Sequence, residues 1–139
     1  MPQAKASKTA QTKREWLVRE RQLSAPMADR FPGLEEMRIE LAFGGLRAGE
    51  SVPSAQFHTL YRAARAFFRF PCPYASCDGD FDLTEAVQEI ALKSADRSRI
   101  AASVGGQMQC QGHRFQSDPL LRARCPIELT YRLSLRLQR

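Results

Sequence analysis

Apolar and polar side chains alternate most regularly at the end of the chain. The apolar members are Ile127, Leu129, Tyr131, Leu133, Leu135 and Leu137, and polar residues occupy the positions between them. Met37, Ile39, Leu41 and Phe43 repeat the pattern. A period of two is typical of a strand with one buried face. We therefore predict strands at residues 126–137 and 37–43.

Two further segments complete the predicted sheet. One lies at residues 106–111, and the other at residues 66–72, which overlaps the end of a longer strand candidate over residues 56–70 whose middle also fits a helix. Residues 46–54 contain Gly49 and Pro53 and are predicted to form a loop. We expect a small antiparallel sheet built from four segments.

One helix is predicted between the strands. Asp82 and Glu85 have the spacing of a capping box, and apolar residues then recur at helical spacing up to about Ser94. These residues are Leu83, Ala86, Val87, Ile90 and Ala91. A helix over residues 83–94 packed on the sheet gives an α+β fold.

The N-terminal segment differs from the rest of the chain. Residues 1–12 lack periodic apolar positions, so we expect them to be disordered. From Thr12 an amphipathic pattern that contains Trp16 predicts a short helix that ends before Pro26. We predict a basic, partly disordered arm over residues 1–25 and a single α+β domain over residues 31–139.

Composition agrees with one folded domain. The chain has 139 residues, 43% of them hydrophobic, and a net charge of +6. Residues 1–30 carry seven basic and three acidic side chains, so the arm is the most basic part. No apolar run reaches the roughly 18 residues of a membrane span, and the first residues lack the apolar region of a secretion signal. We expect a cytoplasmic protein without membrane contact.

Four cysteines are the main candidates for chemistry. Cys72 and Cys77 flank a proline-containing turn, and Cys110 and Cys125 are predicted to meet at the open end of a hairpin formed by the last two strands. Thiolates from two separate chain segments can complete a tetrahedral shell around Zn²⁺. A reducing cytoplasm favours metal over disulfides, although disulfides, free cysteines and a ligand role for His113 remain alternatives.

The sequences around the cysteines resemble those of structural zinc modules of the zinc-ribbon and treble-clef group. The resemblance covers residues 70–137 and depends on Cys72-Pro73, Cys77-Asp78-Gly79, Cys110-Gln111-Gly112 and Cys125-Pro126. The first cysteine pair is separated by four residues rather than the usual two, and fourteen residues separate the second. The resemblance implies a structural Zn²⁺ with four protein ligands, and therefore no open position for water or Lewis-acid chemistry.

Basic and aromatic residues provide a second candidate site. The predicted outward positions of two strands and the arm together supply Arg65, Phe67, Arg69, Arg132, Arg136, Lys13 and Arg14. Such a surface fits nucleic acid or a ribonucleoprotein, and arginine suits phosphate geometry. A solvated strand face is the alternative.

Motifs typical of enzymes are absent from the sequence. We find no glycine-rich phosphate loop, no glycine-flanked nucleophilic serine and no carboxylate pair in a familiar setting. We therefore expect a non-enzymatic binding module without a small-molecule substrate. The alternative is a protein–protein adaptor that docks through the Trp16 helix or a sheet edge, and a thiol-based redox protein is a third possibility that requires a reactive cysteine.

Overall fold

Three helices and eight strands occur among the residues that the computed structural model describes, which are 8–95, 101–115 and 122–138. The helices are α1 (Lys8–Leu23), α2 (Met27–Arg30) and α3 (Thr84–Ala95). The strands are β1 (Leu34–Gly44), β2 (Ala55–Tyr61), β3 (Arg69–Pro71), β4 (Asp80–Asp82), β5 (Ala101–Gln109), β6 (His113–Phe115), β7 (Arg122–Arg124) and β8 (Glu128–Leu137). The predicted α+β class is confirmed.

The main sheet has four antiparallel strands in the order β2–β1–β8–β5. Ile39 of β1 lies opposite His58 on one side and Leu133 on the other, and Leu133 in turn lies opposite Val104. Ile39 and Leu133 are fully buried, as the alternating pattern requires. The predicted strands at 37–43, 106–111 and 126–137 all contribute to this sheet, although β5 begins and ends earlier than its predicted segment.

The prediction that residues 66–72 join the main sheet is wrong. The place beside β1 belongs to β2, and β3 instead pairs with β4 in a separate two-stranded sheet. The long strand candidate is interrupted because the chain turns after Tyr61, where the N–H of Ala64 bonds to the Tyr61 carbonyl at 3.0 Å. The following residues then bond to the segment after α1, with the Ala66 N–H 2.8 Å from the Ala25 carbonyl oxygen.

Helix α1 begins earlier than predicted. Residues 8–12, for which we expected disorder, form its first turns, and Ala10 is fully buried there. The helix ends at Leu23, before Pro26, as predicted. The remaining part of the predicted disorder, residues 1–7, lies outside the described residues. The division into an arm and a domain stays a prediction.

Helix α3 confirms the predicted helix at residues 83–94. The Asp82 carboxylate accepts a hydrogen bond from the Thr84 N–H at 3.0 Å, which satisfies one of the free donors at the helix start. Val87 and Ile90 are buried in the core, whereas Leu92 is exposed. The helix contacts β5 at one edge of the main sheet.

The buried apolar side chains and the four cysteines form one continuous cluster. An aromatic contact connects the β3–β4 sheet to the main sheet, because the ring centroids of Phe81 in β4 and Phe43 in β1 are 6.0 Å apart. The cysteines are therefore part of the same interior as the main sheet. Among the described residues, no helix has both the length and the apolar character needed to cross a bilayer.

Candidate metal centre

The sulfur atoms of all four cysteines converge on one point. They lie within 4.8 Å of one another, and all four residues are buried. Cys72 Sγ is 3.8 Å from Cys125 Sγ, and Cys77 Sγ is 3.6 Å from Cys110 Sγ. Both separations are longer than the about 2.05 Å of a disulfide bond, and all four cysteines are free thiols in this structure. A tetrahedral shell with metal–sulfur bonds of about 2.3 Å places its sulfurs about 3.8 Å apart, so this donor set fits one metal ion.

The first cysteine pair sits on the connection between β3 and β4. Cys72 follows β3 directly, and its N–H bonds to the Gly79 carbonyl at 3.0 Å across the connection. The Cys77 N–H bonds to the Tyr74 carbonyl, also at 3.0 Å, which closes the turn between the two cysteines. Both sulfurs are thereby held on the same side of a tight loop.

The second pair lies on the connection between β5 and β8. The Cys110 N–H bonds to the Ile127 carbonyl at 3.0 Å, which extends the ladder of the two strands by one step. Cys125 comes directly after β7, and its N–H bonds to the Gly112 carbonyl at 3.1 Å. The pair therefore lies where the small β6–β7 hairpin leaves the main sheet. Cys110 and Cys125 lie close together, but at the end of the β5–β8 pair where the chain passes from one strand to the other. The prediction that they meet at the open end of this hairpin is therefore wrong.

Two equivalent turns place backbone donors on the sulfurs. The Gly79 N–H lies 3.3 Å from Cys77 Sγ, and the Gly112 N–H lies 3.4 Å from Cys110 Sγ. Both turns have the sequence Cys-X-Gly. Hydrogen bonds from backbone N–H groups favour the thiolate form that a metal ligand requires.

The glycines of these turns touch each other. A Cβ added to Gly79 would lie 2.6 Å from Cys110 Sγ, and one added to Gly112 would lie 2.9 Å from Cys77 Sγ and closer still to the Gly79 backbone. Each glycine therefore packs against the sulfur of the other turn. The close approach of the four sulfurs requires that neither residue carry a side chain.

Contact among four sulfurs also shifts their proton equilibria. Hydrogen bonding with Cys110, together with Cys125, raises the pKa of Cys72 well above its ordinary value, and the same two partners raise the pKa of Cys77. The pKa of Cys125 is strongly lowered because the thiols of Cys110, Cys72 and Cys77 donate to its sulfur. Without a metal ion, the site therefore retains protons at neutral pH, and binding a cation would displace them.

Backbone contacts join the two cysteine-bearing loops directly. The Asp78 N–H bonds to the His113 carbonyl at 3.2 Å, and the His113 N–H bonds to Asp78 Oδ1 at 2.8 Å. The side chain of His113 is exposed and lies outside the group of clustered ligand atoms. The ligand set that the structure supports is Cys72, Cys77, Cys110 and Cys125, without His113.

Three of the predicted nucleic-acid-binding residues have partners near the metal centre. Arg14 donates to the carbonyl oxygens of Tyr74, Ala75 and Cys72 at 2.9, 3.0 and 3.4 Å. Lys13 lies 2.9 Å from Asp80, and Arg69 bonds to the same carboxylate at 2.8 and 3.2 Å. These side chains connect α1 to the β3–β4 loop.

Trp16 lies beside the same group of charges. The Lys13 Nζ atom is 5.2 Å from its ring centroid, and the Arg69 guanidinium is 4.8 Å away. Its indole is half-buried. Cation–π contact with two side chains of the same protein occupies part of the surface that was predicted to receive a partner.

The other predicted nucleic-acid-binding residues lie elsewhere. Arg65 donates to the Ser24 carbonyl at 3.0 Å, and the Phe67 ring lies 5.5 Å from the Arg21 guanidinium. Arg132 and Arg136 both point outward from β8, where Arg136 bonds to Glu36 at 2.8 Å. The residues predicted to bind nucleic acid are thus divided between two places. Some lie on the second sheet and its neighbouring segments, and the others lie on the outer face of the main sheet.

A buried cation that was not predicted from the sequence lies beside the cysteines. Arg114 is 4% exposed, its guanidinium lies 3.7 Å from the centroid of the Tyr74 ring, and it forms an ion pair with Glu50. Nothing in the local sequence distinguishes Arg114 from the exposed arginines, because its burial arises from loops far apart in the chain. Only the proximity to Cys110 could have suggested it.

The arrangement can hold a single cation in an all-sulfur shell. Every donor comes from the chain, and the four cysteines come from two loops that also contact each other through backbone hydrogen bonds. A metal ion bound to the four sulfurs would crosslink the β3–β4 loop to the main sheet. No protein-family model matches the chain, and comparisons with curated proteins and with solved structures likewise found no match.

Proposed function

We propose that this protein is a non-enzymatic, zinc-ribbon-like binding module whose fold is fixed by Zn²⁺ at the four cysteines. The convergence of four buried sulfurs within 4.8 Å carries the proposal. Tetrahedral sulfur sites are typical of Zn²⁺, and a shell filled by protein ligands serves structure rather than catalysis.

Metal analysis tests this proposal. Protein expressed and purified without added metal should contain one zinc per chain, measured by elemental analysis or native mass spectrometry. Cys110→Ser should lose the metal, whereas His113→Ala is the matched control and should keep it, because His113 lies outside the sulfur cluster. Wild-type protein without zinc, or an equal loss in both variants, would contradict the proposed site.

We propose nucleic acid or a ribonucleoprotein as the partner of the module. The basic composition supports this, as does the outer face of the main sheet, which carries Arg132 with two exposed aromatic residues of β2. Phe57 is 72% exposed and Tyr61 is 60% exposed. Exposed rings on a sheet can stack on unpaired bases, and arginines can contact the phosphates.

Fluorescence anisotropy with single-stranded RNA and DNA tests this partner. Binding should be measurable at low salt and fall steeply with increasing salt. Phe57→Ala and Arg132→Gln should each weaken it, while Arg47→Gln, in the exposed loop after β1, serves as the charge-matched control. Negligible affinity for both nucleic acids at low salt would rule out this partner.

A protein–protein adaptor is the alternative function, and β2 favours it. This strand is at the edge of the main sheet, and its outer side pairs with no other strand among the described residues. The exposed apolar side chains on it, together with free backbone groups, suit the addition of a strand from another chain. Light scattering coupled to size exclusion should then show a dimer, and Phe57→Glu and Tyr61→Glu should each dissociate it. A monomer at all concentrations would rule out a second copy of the chain as the partner.

We propose a reducing, cytoplasmic setting, because four thiolates must remain reduced to hold zinc. A thiol-based redox function is less well supported, since all four sulfurs are buried. Iodoacetamide should modify none of the cysteines in the native metal-loaded protein and all four after chelation in denaturant. Rapid alkylation of one cysteine in the native protein would instead favour the redox function.

A further inference from the structure

Arg114 lies in the interior between two partners that it contacts directly. On one side its guanidinium stacks on the Tyr74 ring at 3.7 Å, within the turn that joins Cys72 to Cys77. On another side Nη1 pairs with the carboxylate of Glu50, from the loop after β1. A side chain from β6 is therefore held between two segments that are distant in sequence.

Two of its nitrogen atoms have no such partner. Arg114 Nε and Nη2 are buried and make no hydrogen bond to any described residue. A buried donor of a charged group without an acceptor is costly, about 1–3 kcal/mol or more, so natural structures rarely leave one unmatched. These nitrogens indicate that an anionic group belongs beside them.

The cysteine cluster supplies that group. Burial alone would lower the pKa of Arg114, but interactions with the Cys125 sulfur and the Glu50 carboxylate raise it above its ordinary value. The backbone of Arg114 also pairs with that of Cys77, and its guanidinium stacks on Tyr74 between Cys72 and Cys77, so it lies beside sulfurs that become thiolates when a metal ion is bound. Four thiolates around a divalent cation carry a net charge of −2, which is unfavourable in a buried site unless a positive charge lies close by.

We propose that Arg114 is the counter-charge of the metal centre, with Nε and Nη2 as donors to the thiolate shell. This inference rests on the proposed zinc site. Glu50 orients the guanidinium from the other side, and its carboxylate is more exposed than Arg114, so solvent screens its opposing charge. Groups that support metal ligands in this way typically change metal affinity by about 10–100-fold.

Competition of the full-length protein with a chromophoric chelator for Zn²⁺ tests the proposal. Arg114→Gln should weaken zinc binding 10- to 100-fold, and Arg114→Lys, which keeps the charge, should recover part of the loss. Arg124→Gln is the matched control, because it removes the same charge from the neighbouring strand, where Arg124 bonds to Gln111. Equal affinity in Arg114→Gln and the wild type, or no recovery with lysine, would overturn the counter-charge role.

A second variant separates charge from structural support. Glu50→Gln removes the carboxylate that opposes the positive charge, so zinc affinity should stay unchanged or rise even where thermal stability falls. A loss as large as that of Arg114→Gln would mean that the ion pair acts only by holding the loops, and would overturn the proposal. Wild-type protein that holds no zinc would instead refute the proposed site itself, which keeps the two failures distinct.

Discussion

Gly79 and Gly112 control how closely the two cysteine loops approach. Each follows its cysteine by two residues, donates its N–H to that cysteine's sulfur and packs against the sulfur of the opposite loop. The Cys-X-Gly pattern is visible in the sequence, but its reason is not. Only the structure shows that the glycines contact one another, because the two turns are more than thirty residues apart.

A methyl group at one of these glycines should damage the metal centre. In Gly112→Ala the new Cβ would meet the Gly79 backbone, which cannot move without separating the loops. We expect the metal-loaded protein to lose about 1–3 kcal/mol of unfolding free energy, as overpacked interiors do, together with much of its zinc affinity. Urea denaturation measures the first quantity. Gly33→Ala is the control, since no atom lies within 4 Å of a Cβ at that position, and an equal effect in both variants would contradict the packing argument.

Zinc affinity should fall as the pH is lowered. The raised pKa values of Cys72 and Cys77 mean that both keep their protons at neutral pH without metal, and binding must release them. The metal-bound state is thus favoured at high pH and lost towards low pH, by about 100-fold for each pH unit if two protons are released. Chelator competition at pH 6, 7 and 8, corrected for protonation of the chelator, measures the slope. A flat profile would show that the ligands are already thiolates without metal.

At the scale of elements, α1 acts as a support for the first cysteine loop. Its Arg14 binds three carbonyl oxygens of that loop, and Lys13 joins Arg69 on the Asp80 carboxylate. A short strand pair such as β3–β4 has few backbone bonds of its own. The helix therefore stabilises a loop that its own strands would hold only weakly.

The variant Arg14→Met tests whether α1 stabilises the first cysteine loop. The variant keeps most of the apolar stem but leaves the carbonyls without their charged donor, which costs about 1.5–3 kcal/mol. We expect a lower midpoint of thermal unfolding and faster zinc transfer to a chelator. Arg19→Met, at an exposed position of the same helix, should change neither, and indistinguishable behaviour of the two variants would refute the supporting role of α1.

How far the elements could be predicted depends on their length. β1 and β8 were predictable because residues 37–44 of β1 and most of the ten residues of β8 alternate between a more buried and a more exposed face. α3 was predictable because its capping residue and apolar spacing agree. β3 was assigned to the wrong sheet, since three residues carry too little periodicity to identify a neighbour. The start of α1 was missed because the burial of Ala10 depends on packing that composition does not record.

At the scale of the whole molecule, an apolar interior and a sulfur cluster share one core. The cysteines could be assigned to a common site from their pairing in sequence alone. Arg114 and Glu50 could not, because their burial depends on how three distant loops meet. The main sheet has strands of seven to eleven residues, whereas the two small sheets have strands of three.

Removing the metal should therefore destabilise the two small sheets more than the main sheet. Hydrogen–deuterium exchange after chelation should rise strongly in β3–β4 and β6–β7, which are too short to persist without the cluster. Amides in the centre of β1 and β8 should stay protected, since each pairs along most of its length and buries Ile39 and Leu133. A uniform loss of protection across all strands would contradict this division and show that the main sheet also depends on the metal.

X-ray absorption at the zinc edge, on protein purified without added metal, measures the ligand shell of the proposed site. We expect one zinc per chain surrounded by four sulfur atoms at about 2.3 Å, with no nitrogen or oxygen ligand. A shell with fewer than four sulfurs, a contribution from imidazole or water, or protein that holds no metal at all would contradict the proposed site.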